Sequence, residues 1–332
     1  MIHIFFIIIA ILLNIFLLSC FNYYSRFFNI YDKPDNIRKL HHKNIKVLGG
    51  TLISINIFLY SVFYLVFDRD YLINIHESQT NFLIFIVSAL LMYIIGLIDD
   101  KKNLPALNKL IFTIIVVSVS LFLNKKIINE INLSFMSQSI LLGQFAFLFT
   151  LFCYIIFINA FNMLDGINLQ VGLYSLFIVL VMIYFGLDII FSISIIFGLT
   201  VYIYFNYKNK VFLGDNGCLF LSYTFAYCFI NLFNQNKIIY SDIILLILII
   251  PGLEILRLCV ERILNKKSIL KADRGHIHHL VNFKNNWKID ILIIQFLLAA
   301  PFLISIIFKN NLLIIFIVVL IYFSLIFYFK KK

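Results

Sequence analysis

Long apolar runs alternate with short polar stretches along the whole 332-residue chain, and each run approaches the ~20 residues an α-helix needs to cross a hydrocarbon core. The pattern predicts eleven membrane-spanning helices, over 2–21, 47–67, 81–98, 110–123, 139–158, 171–186, 188–206, 217–234, 241–263, 289–308 and 312–329. The run at 110–123 is short for a crossing and the two runs about Asp188 share almost no loop, so ten spans is the alternative count. The expected fold is all-α and polytopic, a single transmembrane domain over 1–332, because no long polar stretch divides the runs. The run 2–21 lacks the basic n-region and small-residue cleavage site of a signal peptide and is expected to be the first transmembrane helix.

Composition agrees with this. Hydrophobic residues make up 62% of the chain and charged residues 13%, far from the mix of a soluble domain. The five cysteines lie in or beside apolar runs without the paired spacing of a disulfide framework or zinc site. A formal charge of +11 raises nucleic acid as a partner, but the placement of the charge removes that reading. With eleven spans, the loops 22–46, 99–109, 159–170, 207–216 and 264–288 and the C-terminal lysines share one side and carry most of the Lys and Arg. The positive-inside rule makes that side cytoplasmic. Every cluster of acids and histidines falls on the same side, as a site for a soluble cytoplasmic substrate requires.

Four clusters carry candidate chemistry. Asp99 and Asp100 meet the membrane boundary at the end of the third run, where adjacent carboxylates suit a hard cation such as Mg²⁺. The alternative is a solvated helix end neutralised by Lys101 and Lys102. Asn159, Asn162 and Asp165 follow at successive i, i+3 steps on one helical face, able to ligate a metal or hydrogen-bond a sugar; helix capping is the plainer alternative. In Phe212-Leu213-Gly214-Asp215-Asn216-Gly217 the carboxylate of Asp215 could complete a metal site and the Phe212 ring could stack on a base, unless the segment is only a tight turn. Last come Glu254, Arg257 and Arg262, then Arg274, His276, His278 and His279, whose arginines and histidines can contact diphosphate oxygens. Zinc binding lacks a cysteine partner there, and Glu254, Arg257 and Glu261 could instead form surface pairs along a helix. The basic stretch from Asp32 to His42 suits anionic membrane lipid or phosphate.

Taken in order, Asp32-Lys33-Pro34 with Arg38-Lys39 and Gly49-Gly50, Asp99-Asp100, Asn159-Ala160-Phe161-Asn162-Met163-Leu164-Asp165-Gly166, Phe212-Leu213-Gly214-Asp215 and His276-Ile277-His278-His279 resemble the polyprenyl-phosphate N-acetylhexosamine-1-phosphate transferases. The resemblance implies a helical fold of about ten spans and an active site on the cytoplasmic face of the cell's inner membrane. It also implies dependence on Mg²⁺, with Mn²⁺ as a substitute. The reaction implied moves an N-acetylhexosamine-1-phosphate, GlcNAc-1-phosphate for preference, from a UDP-N-acetyl sugar to undecaprenyl phosphate and releases UMP. By that analogy Asp215 and Asn162 would ligate the metal, Asp99 and Asp100 would act on or near the attacking lipid phosphate, and Lys109 would contact phosphate. Asp165 and Asn168 would shape the nucleotide-sugar pocket, Asn159 would bind substrate beside them, and Phe212 would lie near the uracil.

The form Asp273-Arg274-Gly275-His276-Ile277-His278-His279 looks more like initiators of surface polysaccharides, such as O-antigen, than like phospho-MurNAc-pentapeptide transferase, the alternative within the family. A transporter of lipid-linked substrates is the alternative from another class; it would place ionisable residues at mid-membrane, whereas here they gather at helix ends. A homodimer is an assembly state left to test. Four positions depart from the usual pattern: Asn103 stands where many relatives have a third acid, Cys218 where Ser or Thr is commoner, Leu169 for a frequent glycine, and Glu254 for Asp.

Overall fold

A computed structural model describes residues 1–28, 30–32, 44–268, 277–280 and 287–331. In chain order the helices are α1 (Ile2–Ser19), α2 (Phe21–Phe28), α3 (Gly49–Phe67), α4 (Arg69–His76), α5 (Gln79–Lys102), α6 (Ala106–Asn124), α7 (Ala146–Leu164), α8 (Gln170–Tyr184), α9 (Ile189–Tyr207), α10 (Gly214–Asn234), α11 (Ser241–Leu264), α12 (Ile277–Leu280), α13 (Trp287–Phe308) and α14 (Asn311–Lys331). Among the described residues ten helices are long and apolar enough to cross a membrane, so the fold is nearly all-α and polytopic. The eleventh expected span, 171–186, is the 15-residue α8. At 1.5 Å per residue it reaches about 22 Å, short of the ~30 Å hydrocarbon core. Among the described residues ten helices are candidate spans by length and composition, and α8 is a shorter apolar helix whose crossing is needed for the ends of α5 and α10 to meet on one face.

The chain forms two compact units, Met1–Lys125 with Val179–Cys228, and Lys126–Ile178 with Phe229–Lys332. In the first, α3 packs closely on α9: a Cβ on Gly198 would lie 2.7 Å from the Ile53 Cα, so only glycine permits this approach. Polar side chains join α1 to α3, where the Asn14 amide donates to Asn56 Oδ1 at 2.7 Å, both residues being buried. Hydrogen bonds of this kind hold membrane helices together, because lipid offers their polar groups no partner. Three short strands, β1 (Tyr31–Asp32), β2 (Ile45–Val47) and β5 (Val211–Phe212), form a sheet in the order β1-β2-β5, with β2 and β5 parallel. This sheet, which the hydropathy pattern did not predict, ties the entry of α3 to the entry of α10.

Several helix ends have visible local causes. Ser78 and Asp188 accept the backbone N–H of Asn81 and Phe191 at the starts of α5 and α9. Asn103 (φ 50°) and Lys125 (φ 54°) end α5 and α6 in the left-handed region.

In the second unit α11 packs on α7, α13 and α14, and α14 also packs on α12 and α13. The Tyr174 hydroxyl donates to the Ile247 carbonyl, and the Gln295 amide donates to the Gln170 carbonyl. Two further strands, β3 (Glu130–Ile131) and β4 (Ile140–Leu141), make an antiparallel pair. The Asp242 carboxylate at the start of α11 accepts from the Ser134 N–H, the Ser134 hydroxyl and the Asn311 amide, which fixes the segment leading to β4 and the start of α14.

Candidate active site

In the first unit, the end of α5, the first turn of α6 and the start of α10 bring four of the expected residues together. Residues 99–109, expected as a loop, are mostly helical: α5 runs through Lys102 and α6 begins at Ala106, leaving a connection of 103–105. Asp99 explains the tight corner, because its Oδ1 accepts the Leu104 N–H at 2.7 Å while the Asn103 N–H returns to the Asp99 carbonyl. The same carboxylate reaches forward to α6, where Lys109 Nζ donates to Asp99 Oδ2 at 2.7 Å.

Lys109 also donates to Asp215 Oδ1 at 2.9 Å, so one ammonium bridges two carboxylates that lie far apart in sequence. Asp99 is nearly closed off, with 8% of its side chain exposed, whereas Asp215 shows 26%. Of these two carboxylates, Asp215 is the more open to an incoming group.

Asp100 faces a different partner. Its Oδ1 accepts the Asp215 N–H at 2.8 Å and its Oδ2 the Asn216 N–H at 3.0 Å, so a side chain from α5 caps α10. The first N–H groups of a helix lack internal partners, and a carboxylate there also meets the positive end of the helix dipole. Glycines make the approach possible. Gly214 adopts φ +78°, and a Cβ there would strike the Val47 side chain and Asp100 Oδ2. A Cβ on Gly96 would lie 2.3 Å from the Asn216 Cα, against backbone that cannot swing away. The Gly50 N–H donates to the Leu213 carbonyl, binding the start of α3 to the same corner. Among the described residues the buried Asn216 amide has no hydrogen-bond partner on either its oxygen or its nitrogen. Phe212 sits on β5, paired with Val47 of β2 and three residues before Asp215. On the neighbouring β2 position, burial and then the nearby Arg26 hold the Lys46 ammonium below its ordinary range.

Three carboxylates against one ammonium leave a formal charge of −2, only partly offset by the roughly +0.5 of the α10 N-terminus. Such a corner repels a phosphate on its own and attracts a divalent cation. Its donors are hard oxygens, as Mg²⁺ prefers, and the Lys109 ammonium already marks a cation position between Asp99 and Asp215. Among the described residues no three His, Cys, Asp or Glu side chains converge into a ready-made metal cage. This suits Mg²⁺, which commonly takes one or two carboxylates and completes its shell with water and substrate phosphate. The residues therefore fit the ion.

The second unit holds the remaining described candidates. Asn159 and Asn162 lie on α7, inside the helix and not in the expected loop; the Asn159 amide turns back to the Ile155 carbonyl at 2.7 Å. Asp165 ends α7, its N–H on the Asn162 carbonyl, and Asn168 follows in the corner before α8; all four residues are half-buried. Leu169 takes φ +67°, a left-handed backbone that glycine adopts freely, which accounts for the glycine common at this position in the resembled family.

On α11, Arg257 is buried with its guanidinium engaged: Nη2 donates to Glu254 at 2.7 Å, Nη1 to Glu261 at 2.9 Å and Nε to the Tyr322 hydroxyl at 3.0 Å. Arg262 is buried near the end of the same helix. Arg274 and His276 lie outside the described residues, as do the side chains of His278 and His279. Sequence reading missed Gly96 and Tyr322. A glycine or tyrosine inside an apolar helix carries no local mark of what it touches.

Comparison with known proteins gives a consistent picture. Residues 82–233, which contain Asp99, Asp100, Lys109, Asn162, Asp165 and Asp215, match the model described as glycosyl transferase family 4. The chain is 28% identical over 289 residues to the probable undecaprenyl-phosphate N-acetylglucosaminyl 1-phosphate transferase of Bacillus subtilis, covering 83% of this chain and 76% of that protein. It is 28% identical over 262 residues to the undecaprenyl-phosphate alpha-N-acetylglucosaminyl 1-phosphate transferase of Escherichia coli K12, covering 75% and 68%. The Thermotoga maritima protein of the same name is 25% identical over 287 residues, covering 86% and 84%.

Proposed function

We propose that this multi-pass membrane chain, which matches glycosyl transferase family 4 over residues 82–233, transfers N-acetylglucosamine-1-phosphate from UDP-N-acetylglucosamine to undecaprenyl phosphate, releasing UMP. The observation that carries the reading is the Asp99–Lys109–Asp215 bridge beside the Asp100-capped start of α10, a dense charged corner at the ends of membrane helices. A phosphoryl transfer needs little covalent help from the protein and much positioning and charge stabilisation, which is what such a corner supplies.

In the reaction, an oxygen of the lipid phosphate attacks the phosphorus that bears the sugar. A new P–O bond forms there as the bond to the UMP phosphate breaks, and a diphosphate-linked lipid remains. Lys109 holds Asp99 and Asp215 at one spacing, and its ammonium is in place to receive phosphate oxygen as charge builds. Asp100 keeps Asp215 in position through the backbone of α10. The partly exposed carboxylate of Asp215 would hold Mg²⁺, which would supply positive charge against the diphosphate. In the second unit, Asn159, Asn162, Asp165 and Asn168 at the α7–α8 corner are the residues assigned to the nucleotide sugar. The active site faces the cytoplasm from the inner membrane, where nucleotide sugars are available, and the product serves as the first lipid-linked intermediate of a surface polysaccharide.

The test is an assay of purified protein in detergent with MgCl₂, undecaprenyl phosphate and a panel of UDP-N-acetyl sugars, following UMP and lipid product together. UMP and product are expected in equal amounts with UDP-N-acetylglucosamine, and EDTA or Asp215→Ala should abolish both. Turnover with another donor alone would reassign the sugar. Folded protein that releases no UMP with any donor would overturn the reading.

A further inference from the structure

Away from the carboxylate corner, the second unit contains a buried ionic cluster that the mechanism above does not use. Glu254 of α11 is 2% exposed and Arg257, one turn later, 5%. Burial of this kind is costly in a membrane helix unless partners surround both charges. Here they do. Glu254 Oε1 accepts from Arg257, Glu254 Oε2 accepts from the Tyr322 hydroxyl of α14, and that hydroxyl accepts from Arg257 Nε. At the outer edge Glu261 accepts from both Arg257 and Lys330 of α14. Among the described residues, two carboxylates and two cations balance in this cluster.

Its remaining reach is toward a third chain segment. Glu254 Oε1 also accepts the backbone N–H of Ile277 at 2.8 Å. Ile277 opens the four-residue α12, is 2% exposed, and stands in sequence between His276 and His278. The first N–H of a helix needs an external acceptor, and a carboxylate is the strongest the side chains offer. The carboxylate is itself immobilised by Arg257 and Tyr322, so its position is passed to the backbone that carries the histidines.

We propose that Glu254 is a positioning residue, held by Arg257 and by Tyr322 of the last helix, which fixes the backbone of α12, on which His278 and His279 stand, for transfer. The proposal rests on the transferase reading only for its effect on rate; the clasp itself does not. It gives α14, distant in sequence from every motif, a role in the reaction. It also gives Arg257 a place one step removed from substrate.

Hydrogen exchange at 277–280, thermal unfolding and transfer kinetics would be measured on full-length protein and on Tyr322→Phe and Glu254→Gln. Tyr322→Phe keeps the ring and removes only the hydroxyl, so it serves if Glu254→Gln fails to fold. Exchange at the Ile277 amide should rise about tenfold as local opening becomes easier. The kcat/KM for the nucleotide sugar should fall by up to roughly 100-fold, the scale set by a misplacement of about 1 Å, while the KM for the lipid carrier stays unchanged. Unchanged exchange at Ile277 in a folded variant would overturn the clasp. Raised exchange with kcat/KM unaffected would make the cluster a brace without a positioning role. If the unaltered protein turns over no donor, the transferase reading fails alone, and the clasp stands or falls on the exchange data.

Discussion

Replacing Asp100 by Asn separates two accounts of that residue. Family resemblance implies a carboxylate acting on or near the lipid phosphate, whereas the structure gives it the two N–H groups that open α10. Asn keeps the size but offers one oxygen and one NH₂, so one backbone N–H loses its acceptor and faces a donor. A hydrogen bond to a charged group contributes about 1.5–3 kcal/mol, and we take about 2 kcal/mol as the loss. Asp215 is one of the two residues whose N–H is held, so its carboxylate shifts with the backbone, and a displacement near 1 Å costs roughly 100-fold in rate. The assay pairs UMP release with hydrogen exchange across 214–217 and a thermal unfolding midpoint. Slower transfer, faster exchange and a lower midpoint should appear together. Full activity with unaltered exchange would refute the capping argument. Lost activity with exchange unchanged would show instead that Asp100 works directly on substrate.

Two further outcomes follow from the same corner. Lys109→Gln removes the ammonium between Asp99 and Asp215, both only partly exposed, and should destabilise the protein by about 1–3 kcal/mol, between the values for surface and buried pairs. Added MgCl₂ should raise its melting midpoint more than that of the unaltered protein, and an equal response would count against a cation position there. Gly96→Ala drives a methyl into the backbone at Asn216, so overpacking of about 1–3 kcal/mol should show as a lower midpoint in thermal size-exclusion runs, and a neutral result would mean that the α5–α10 approach is looser than described.

The spans were legible because lipid demands continuous apolar runs, and ten of the eleven predicted runs have a counterpart among the long apolar helices. Their ends were less so: Asp99–Lys102 and Ala106–Lys109 read as a polar loop but continue the helices, since a helix end tolerates charges that cap it or pair across its turns. The candidate site residues could be named from residue type and spacing. Their pairings could not, because Lys109 reaches Asp215 across 106 positions and Asp100 answers the backbone of α10 with no sequence trace. Arg257 illustrates the reverse case. The i, i+3 and i, i+4 pairs to Glu254 and Glu261 were visible, but the Tyr322 hydroxyl that closes the cluster comes from a stretch that reads only as apolar.

The Lys109 bridge also has an order in time. Asp99 and Lys109 lie ten positions apart on consecutive helices, so this pair can close as soon as the α5–α6 hairpin enters the bilayer. Asp215 leaves the ribosome 106 residues after Lys109, about 5–20 s later at ordinary rates of synthesis. During that interval the hairpin carries a neutral Asp99–Lys109 pair while Asp100 waits for the N–H groups of α10. Arrival of α10 answers Asp100 and brings the second carboxylate to Lys109, so the corner's formal charge passes from −1 to −2 only at that late step.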